Sequence, residues 1–174
     1  MVIDHWFSLQ KAEEWIEKSK NEIDDPFNTY ADLYIAYNIL YNIKAKLDDP
    51  NISLEWRDSN RAINILDILD VDYLINTLNS NIEQFVNMVL LFKSEMWNKK
   101  NIQVELQRAL IMGDNKLIIE YVLKMLYKIR CNLFHGEKGV NEIQRRLLIN
   151  AIIILETITV HLKEILENKL HITD

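Results

Sequence analysis

KLIIEYVLKMLYKIRCNLF, Lys116–Phe134, is the stretch whose reading decides the fold. Its apolar positions Ile118, Tyr121, Val122, Met125, Leu126 and Ile129 recur every three or four residues, the spacing of one helix face; a half-buried strand would alternate instead. The spacing predicts a helix of about five turns. Asp114 and Asn115 stand just before it, and Gly113 before them suits the C-cap of a preceding helix read from VELQRALIMG. Where the apolar face runs out, Arg130, Cys131, Asn132, His135 and Gly136 crowd together.

Outward from this helix, the pattern repeats in both directions. After an interruption bracketed by Gly136 and Gly139, EIQRRLLINAIIILETITVHLKEIL reads as a long final helix with apolar girth on more than one side. Upstream, IEQFVNMVLLFKSEMW has helical periodicity from about Asn81. Asp48-Asp49-Pro50-Asn51 reads as a turn, after which Ser59 caps a short helix through Ile63, Leu66 and Leu69. FNTYADLYIAYNILYNIKAKL follows Pro26, a good first-turn residue, and SLQKAEEWIEKSKN forms a first helix capped by Ser8 and ending near Asn21. Phe27, Tyr30, Tyr34, Tyr37 and Tyr41 line one stripe, with core, a subunit contact or base stacking as its uses.

Composition agrees. Gly and Pro together number five in 174 residues, 49% are hydrophobic and 26% charged, which leaves few breaks for a many-stranded fold and too much apolar content for disorder. The expectation is an all-α, single-domain bundle of five to seven helices covering residues 1–174. Cys131 is the one cysteine, so neither an internal disulfide nor a thiolate metal cluster is expected. His5, His161 and His171 have no metal-ligand spacing, and no Gly-rich phosphate loop or HExxH is present; no metal and no cofactor are expected. The acidic start is unlike a signal peptide, and the longest apolar run, Ala151 to Leu155, is too short for a bilayer; a cytoplasmic protein off the membrane is expected.

The net charge of −6 is uneven: residues 1–100 hold ten Lys/Arg against seventeen Asp/Glu, and residues 101–174 ten against nine. Such a balance argues against a broad basic face for duplex nucleic acid and leaves room for a local cleft taking one strand. Lys128, Lys138, Arg145 and Arg146 flank the polar cluster as candidate RNA contacts, interrupted by Glu120, Glu137 and Glu142.

Arg130, Asn132 and His135 have definable chemistry together. Histidine exchanges a proton near neutral pH, arginine presents a planar fork to phosphate oxygens, and asparagine orients either. Those are the parts for cutting a ribose-phosphate backbone without a metal: a base for the 2′-hydroxyl, an acid for the leaving oxygen, a cation for charge on phosphate. One histidine cannot do both proton tasks in one step, so a two-fold dimer would supply the second. The plainer account has Arg130 solvated at a helix end, His135 bonded to a terminal carbonyl, Asn132 capping and Cys131 packed.

YKIRCNLFHGEK, Tyr127–Lys138, resembles the signature of the HEPN superfamily (higher eukaryotes and prokaryotes nucleotide-binding), an arginine followed after four to six residues by histidine. Its local form, together with the aromatic helix PFNTYADLYIAYNILY (Pro26–Tyr41), is most similar to the Apea-like branch. The resemblance implies a helical homodimer with paired motifs facing a shared cleft, and metal-independent endoribonuclease activity of a toxin or defence system. Arg130 would then contact phosphate and His135 move protons, with a cognate antitoxin or defence-system protein as a further partner. Cys131 holds the place where the family's polar residue often follows the arginine. Glu137 stands where one form of the family has a tyrosine modified by a nucleotidyltransferase antitoxin. The alternative the resemblance allows is a noncatalytic helical interaction or dimerisation module.

Overall fold

The computed structural model describes residues 2–22, 24–55, 58–89, 102–134 and 142–172. Among them are seven α-helices: α1 (Val2–Asn21), α2 (Pro26–Asp48), α3 (Asp58–Asn64), α4 (Val71–Val89), α5 (Ile102–Met112), α6 (Asn115–Phe134) and α7 (Glu142–Ile172). A single 3-10 turn, Ile65–Asp67, follows α3, and the described residues include no strand. The all-α expectation therefore holds. The chain packs as two compact units, Met1–Leu69 with Leu155–Asp174, and Asp70–Ile154.

In the first unit α1 and α2 form a helical hairpin. Asp25 caps α2, its Oδ1 accepting from the backbone N–H of Phe27 at 3.0 Å and Asn28 at 3.3 Å, with Pro26 at the first helical position. The Thr29 hydroxyl donates back to the carbonyl of Glu22 at 2.7 Å and stitches the connection. Helix α1 begins at Val2, so Ser8 lies within it and is not its cap. A tertiary contact explains the extension: Trp6 packs on His171 of α7, ring centroids 4.6 Å apart, and anchors the first turns. Lys163 of α7 bridges Glu13 at 3.3 Å and Glu167 at 2.9 Å.

The tyrosine stripe is core. Tyr30, Tyr34, Tyr37 and Tyr41 are at most 2% exposed and their rings meet in sequence at centroid distances of 6.2, 5.6 and 5.2 Å. Rings so buried are closed to base stacking, while Phe27 stays partly exposed. The turn at Asp49 also forms as expected, with its carbonyl accepting from Ile52 N–H and its Oδ1 from Asn51 N–H, both at 3.0 Å. Helix α3 starts one residue before Ser59, at Asp58.

In the second unit α4 starts at Val71, about ten residues before the periodic stretch read from Asn81. Asp70 caps it, its Oδ1 accepting from Tyr73 N–H at 2.9 Å. Asn76, Asn79, Ser80 and Asn81 are weak helix formers, and the buried row Leu74, Leu78, Ile82, Phe85 overrides them. The latter part of that stretch, residues 90–97, lies outside the described residues. Gly113 ends α5 as expected: at φ +66° its N–H bonds to Leu110 O at 3.2 Å, and Asp114 N–H reaches Ala109 O at 3.1 Å, the paired bonds of a Schellman close. Asp114 then caps α6 through Leu117 N–H at 3.0 Å. Asn115 of α6 donates to Asp72 of α4 at 2.8 Å, and α6 packs against both α5 and α4.

Candidate functional site at the end of helix six

Two apolar rows run up α6. Ile118, Val122, Met125 and Ile129 form one and Ile119, Leu123 and Leu126 the other; all are buried. The polar candidates are the next rungs. Asn132 continues the first row, three residues past Ile129, and is 7% exposed. Arg130 continues the second, four residues past Leu126, and is half-buried. A long arginine stem can follow apolar surface and carry its guanidinium to the edge; a short amide at the same height stays inside.

The helix continues to Phe134 without a break. Two residues of α-helix turn by about 200°, so Arg130 and Asn132 point to different sides of α6 and do not converge there. Lys128, half-buried, falls on the side of Asn132, while Tyr127 shares the side of Arg130. Tyr127 is a polar ring that motif spacing alone did not single out. His135 and Lys138 lie outside the described residues, as do Gly136, Glu137 and Gly139. Cys131 is free and half-buried.

Arg145 and Arg146 are exposed in the opening turns of α7. The seven residues between Phe134 and Glu142 span at most about 29 Å, which bounds how far those arginines start from the end of α6. Arg146 Nε sits 3.1 Å from Glu142 Oε1, an exposed pair. Lys124 pairs with Glu120 and lies 4.7 Å over the Tyr121 ring. The flanking cations are thus partly matched by the acids that interrupt them in sequence. Asn150, one turn on, is 4% exposed and fixes α7 to α4: its Nδ2 donates to Asn81 O at 3.0 Å and its Oδ1 accepts from Asn81 Nδ2 at 3.1 Å.

A second polar assembly, unforeseen in the sequence, lies in the first unit. Arg61, 6% exposed, donates from Nε to Asn42 Oδ1 at 2.8 Å and from its fork to Leu54 O at 2.9 Å, and reaches Asp58 at 3.4 Å. Asp58 accepts from the Tyr41 hydroxyl, Asn42 donates to Asn38 at 3.1 Å, and the Tyr37 hydroxyl donates to Ala62 O. The available signal was the choice of tyrosine over phenylalanine in a core stripe, since a buried phenol needs a partner. Burial, reinforced by the neighbouring tyrosines, pushes the Tyr34 and Tyr37 hydroxyls well above their ordinary range. No group of three or more His, Cys, Asp or Glu placed to hold a metal occurs among the described residues, and no helix there is long and apolar enough to cross a membrane.

No family model matches the sequence, and no curated protein or solved structure matches it.

Proposed function

We propose that the chain is a HEPN-like, metal-independent endoribonuclease acting as a homodimer in a toxin or defence system. The observation that carries the reading is the position of Arg130: the polar end of an apolar row, half-buried in the last turn and a half of α6, with the histidine of the Arg-x4-His motif next after that helix. Charge supports it as well. Residues 70–154 carry eleven Lys/Arg against nine Asp/Glu, whereas the other unit carries nine against seventeen. A phosphodiester strand is repelled less by the unit that bears the motif.

In this reading His135 of one protomer takes the 2′-hydroxyl proton and the oxygen attacks the adjacent phosphorus. The P–O5′ bond breaks to leave a 2′,3′-cyclic phosphate, and His135 of the partner subunit protonates the departing 5′-oxygen. Arg130 holds the charge that grows on the phosphoryl oxygens. Asn132, buried on the other side of α6, supports the helix end that presents Arg130.

The test is cleavage of a panel of tRNA, rRNA and single-stranded RNA in EDTA by wild type, Arg130→Ala and His135→Ala, with the oligomeric state of each measured. Cuts leaving cyclic phosphate ends, reduced about 10²–10⁴-fold in both variants, are the expected outcome. Equal cutting by all three proteins sinks the assignment. The second reading, a noncatalytic interaction or dimerisation module, draws on the acidity of the first unit; it predicts dimers or a bound protein partner with no cutting in any of the three.

A further inference from the structure

We infer that the cleft between the start of α1, the outer side of α2 and the 50–54 segment is a binding site for a small organic anion with an apolar body. The cavity is about 320 Å³, within the range of small-molecule pockets, which are concave, largely apolar and oriented by a few polar groups. Ile39 and Leu54 supply apolar wall, Asn38 and Asn42 supply amides, and His5 and Lys46 supply the basic groups.

Three observations select the ligand's chemistry. The unit around the cleft holds seventeen Asp/Glu against twelve Lys, Arg and His, yet among the described residues the cleft's lining includes no acid and two basic side chains, Lys46 and His5. Chance placement in so acidic a unit would favour the reverse, and a cation site would need carboxylates that this wall does not offer. Lys46, moreover, is exposed and has no ion-pair partner among the described residues, although Lys44, two residues back on the same helix, is paired with Asp48. An incoming carboxylate would therefore meet an ammonium that no described carboxylate holds.

The third observation is rigidity. Arg61 ties Leu54 O and Asn42 Oδ1 together from behind, so the 50–54 wall and the α2 floor are held by one buried guanidinium. Asn42 is oriented in turn by its bond to Asn38. A pre-formed wall lowers the ordering cost of binding, which lets a ligand of modest size be held. The size of the cavity fits a carboxylate on a short alkyl or single-ring body, the charge toward Lys46 and His5 and the body against Ile39 and Leu54.

The test uses hexanoate and benzoate, each against its uncharged amide, followed by amide NMR of the whole chain. Saturable shifts at the Asn38 and Asn42 side-chain amides are expected with the acids, with the amides binding at least about tenfold more weakly. Lys46→Gln, an exposed position that leaves the fold intact, should weaken the acids about tenfold and leave the amides unchanged; Ile39→Trp, which fills the cleft, should abolish both. Equal affinity for acid and amide, acid binding indifferent to Lys46→Gln, or no saturable shift in the millimolar range each overturns the site. The readout does not involve Arg130 or RNA cleavage, so it stands apart from the proposed nuclease reaction.

Discussion

The two units use polar side chains in opposite ways. In the first, tyrosine, asparagine, arginine and aspartate satisfy one another beside the cleft: Arg61, Asp58, Asn42, Asn38 and Tyr41 form one connected set. In the second, apolar rows fill α6 and the polar residues come at their end, where Arg130 and Asn132 succeed Leu126 and Ile129. The difference teaches where chemistry can be sought. A polar group bonded within its own fold orders structure, whereas the stem of a long one that continues an apolar row can pack on that row and leave the head group beyond it.

The sharpest way to break that contrast is to delete an arginine from each unit. Arg61→Met removes a buried guanidinium together with its bonds to Leu54 O and Asn42 Oδ1 and its ion pair with Asp58. Breaking a buried pair costs about 3–5 kcal/mol, and because the Asp58 side chain is 28% exposed the low end, about 3 kcal/mol, is expected. Arg108→Met in the second unit removes an exposed pair with Glu105 at 3.1 Å and should cost under about 1 kcal/mol. Urea denaturation of both variants decides the matter: equal losses would mean that the Arg61 network is no more structural than a surface ion pair.

One buried amide in the second unit should behave like the first. Asn150→Ala removes the two bonds by which that amide holds the Asn81 side chain and carbonyl at the α4–α7 contact, so a loss of about 1–3 kcal/mol, about 0.5–1.5 for each bond, is expected in the same denaturation experiment. A loss below about 0.5 kcal/mol would show that α7 is held by its apolar residues alone. Alkaline pH probes the first unit selectively. The Tyr34 and Tyr37 hydroxyls have folded pKa values raised above the ordinary 10.0, so stability is intact below about pH 10 and falls as the unfolded chain alone ionises. Each tyrosine contributes a slope of about 1.4 kcal/mol per pH unit, and Tyr37→Phe should remove one such contribution from the stability–pH curve above pH 10. An unchanged slope would mean that the ring's hydroxyl reaches water.

How much of this was legible depended on whether one helix carried the signal alone. The α5–Gly113–α6 passage was readable because a glycine at φ +66° and the Asp114 cap are local devices. The rows of α6 were readable because their spacing is regular. The start of α4 was hidden by asparagines and serine whose poor propensity is overcome by Leu74, Leu78 and Ile82 packing away from them. Helix α1 was extended by Trp6 meeting His171, at the far end of the chain, which no local pattern encodes. At the candidate site the spacing put Arg130 at the end of α6; what spacing lacked was depth, since both residues continue buried rows and the burial of Asn132 against the half-exposure of Arg130 follows the length of the side chain. The Arg61 network was invisible for a related reason: its partners come from three separate segments, α2, the 50–54 stretch and α3.

The smallest effects on stability should accompany a clear effect on binding, and they set the two units apart most cleanly. Arg145 and Arg146 are exposed, and the Arg146 bond to Glu142 is a surface pair, so Arg145→Gln and Arg146→Gln should each move unfolding by less than about 0.5 kcal/mol. If both meet phosphates, each substitution should weaken RNA uniformly across sequences and lower the slope of log affinity against log salt by about 0.7, the value for one phosphate contact to a single strand. Lys18→Gln is the matched control from the acidic unit. Its ammonium is raised in pKa by the bond to Asp32, at 2.9 Å, which commits it within the fold. That variant should leave the salt slope unchanged. Fluorescence anisotropy of a labelled single-stranded RNA across a salt series reads all three. A slope indifferent to Arg145 and Arg146 would move the strand's path off the start of α7, and a slope that responds equally to Lys18 would make the charge difference between the units irrelevant to RNA.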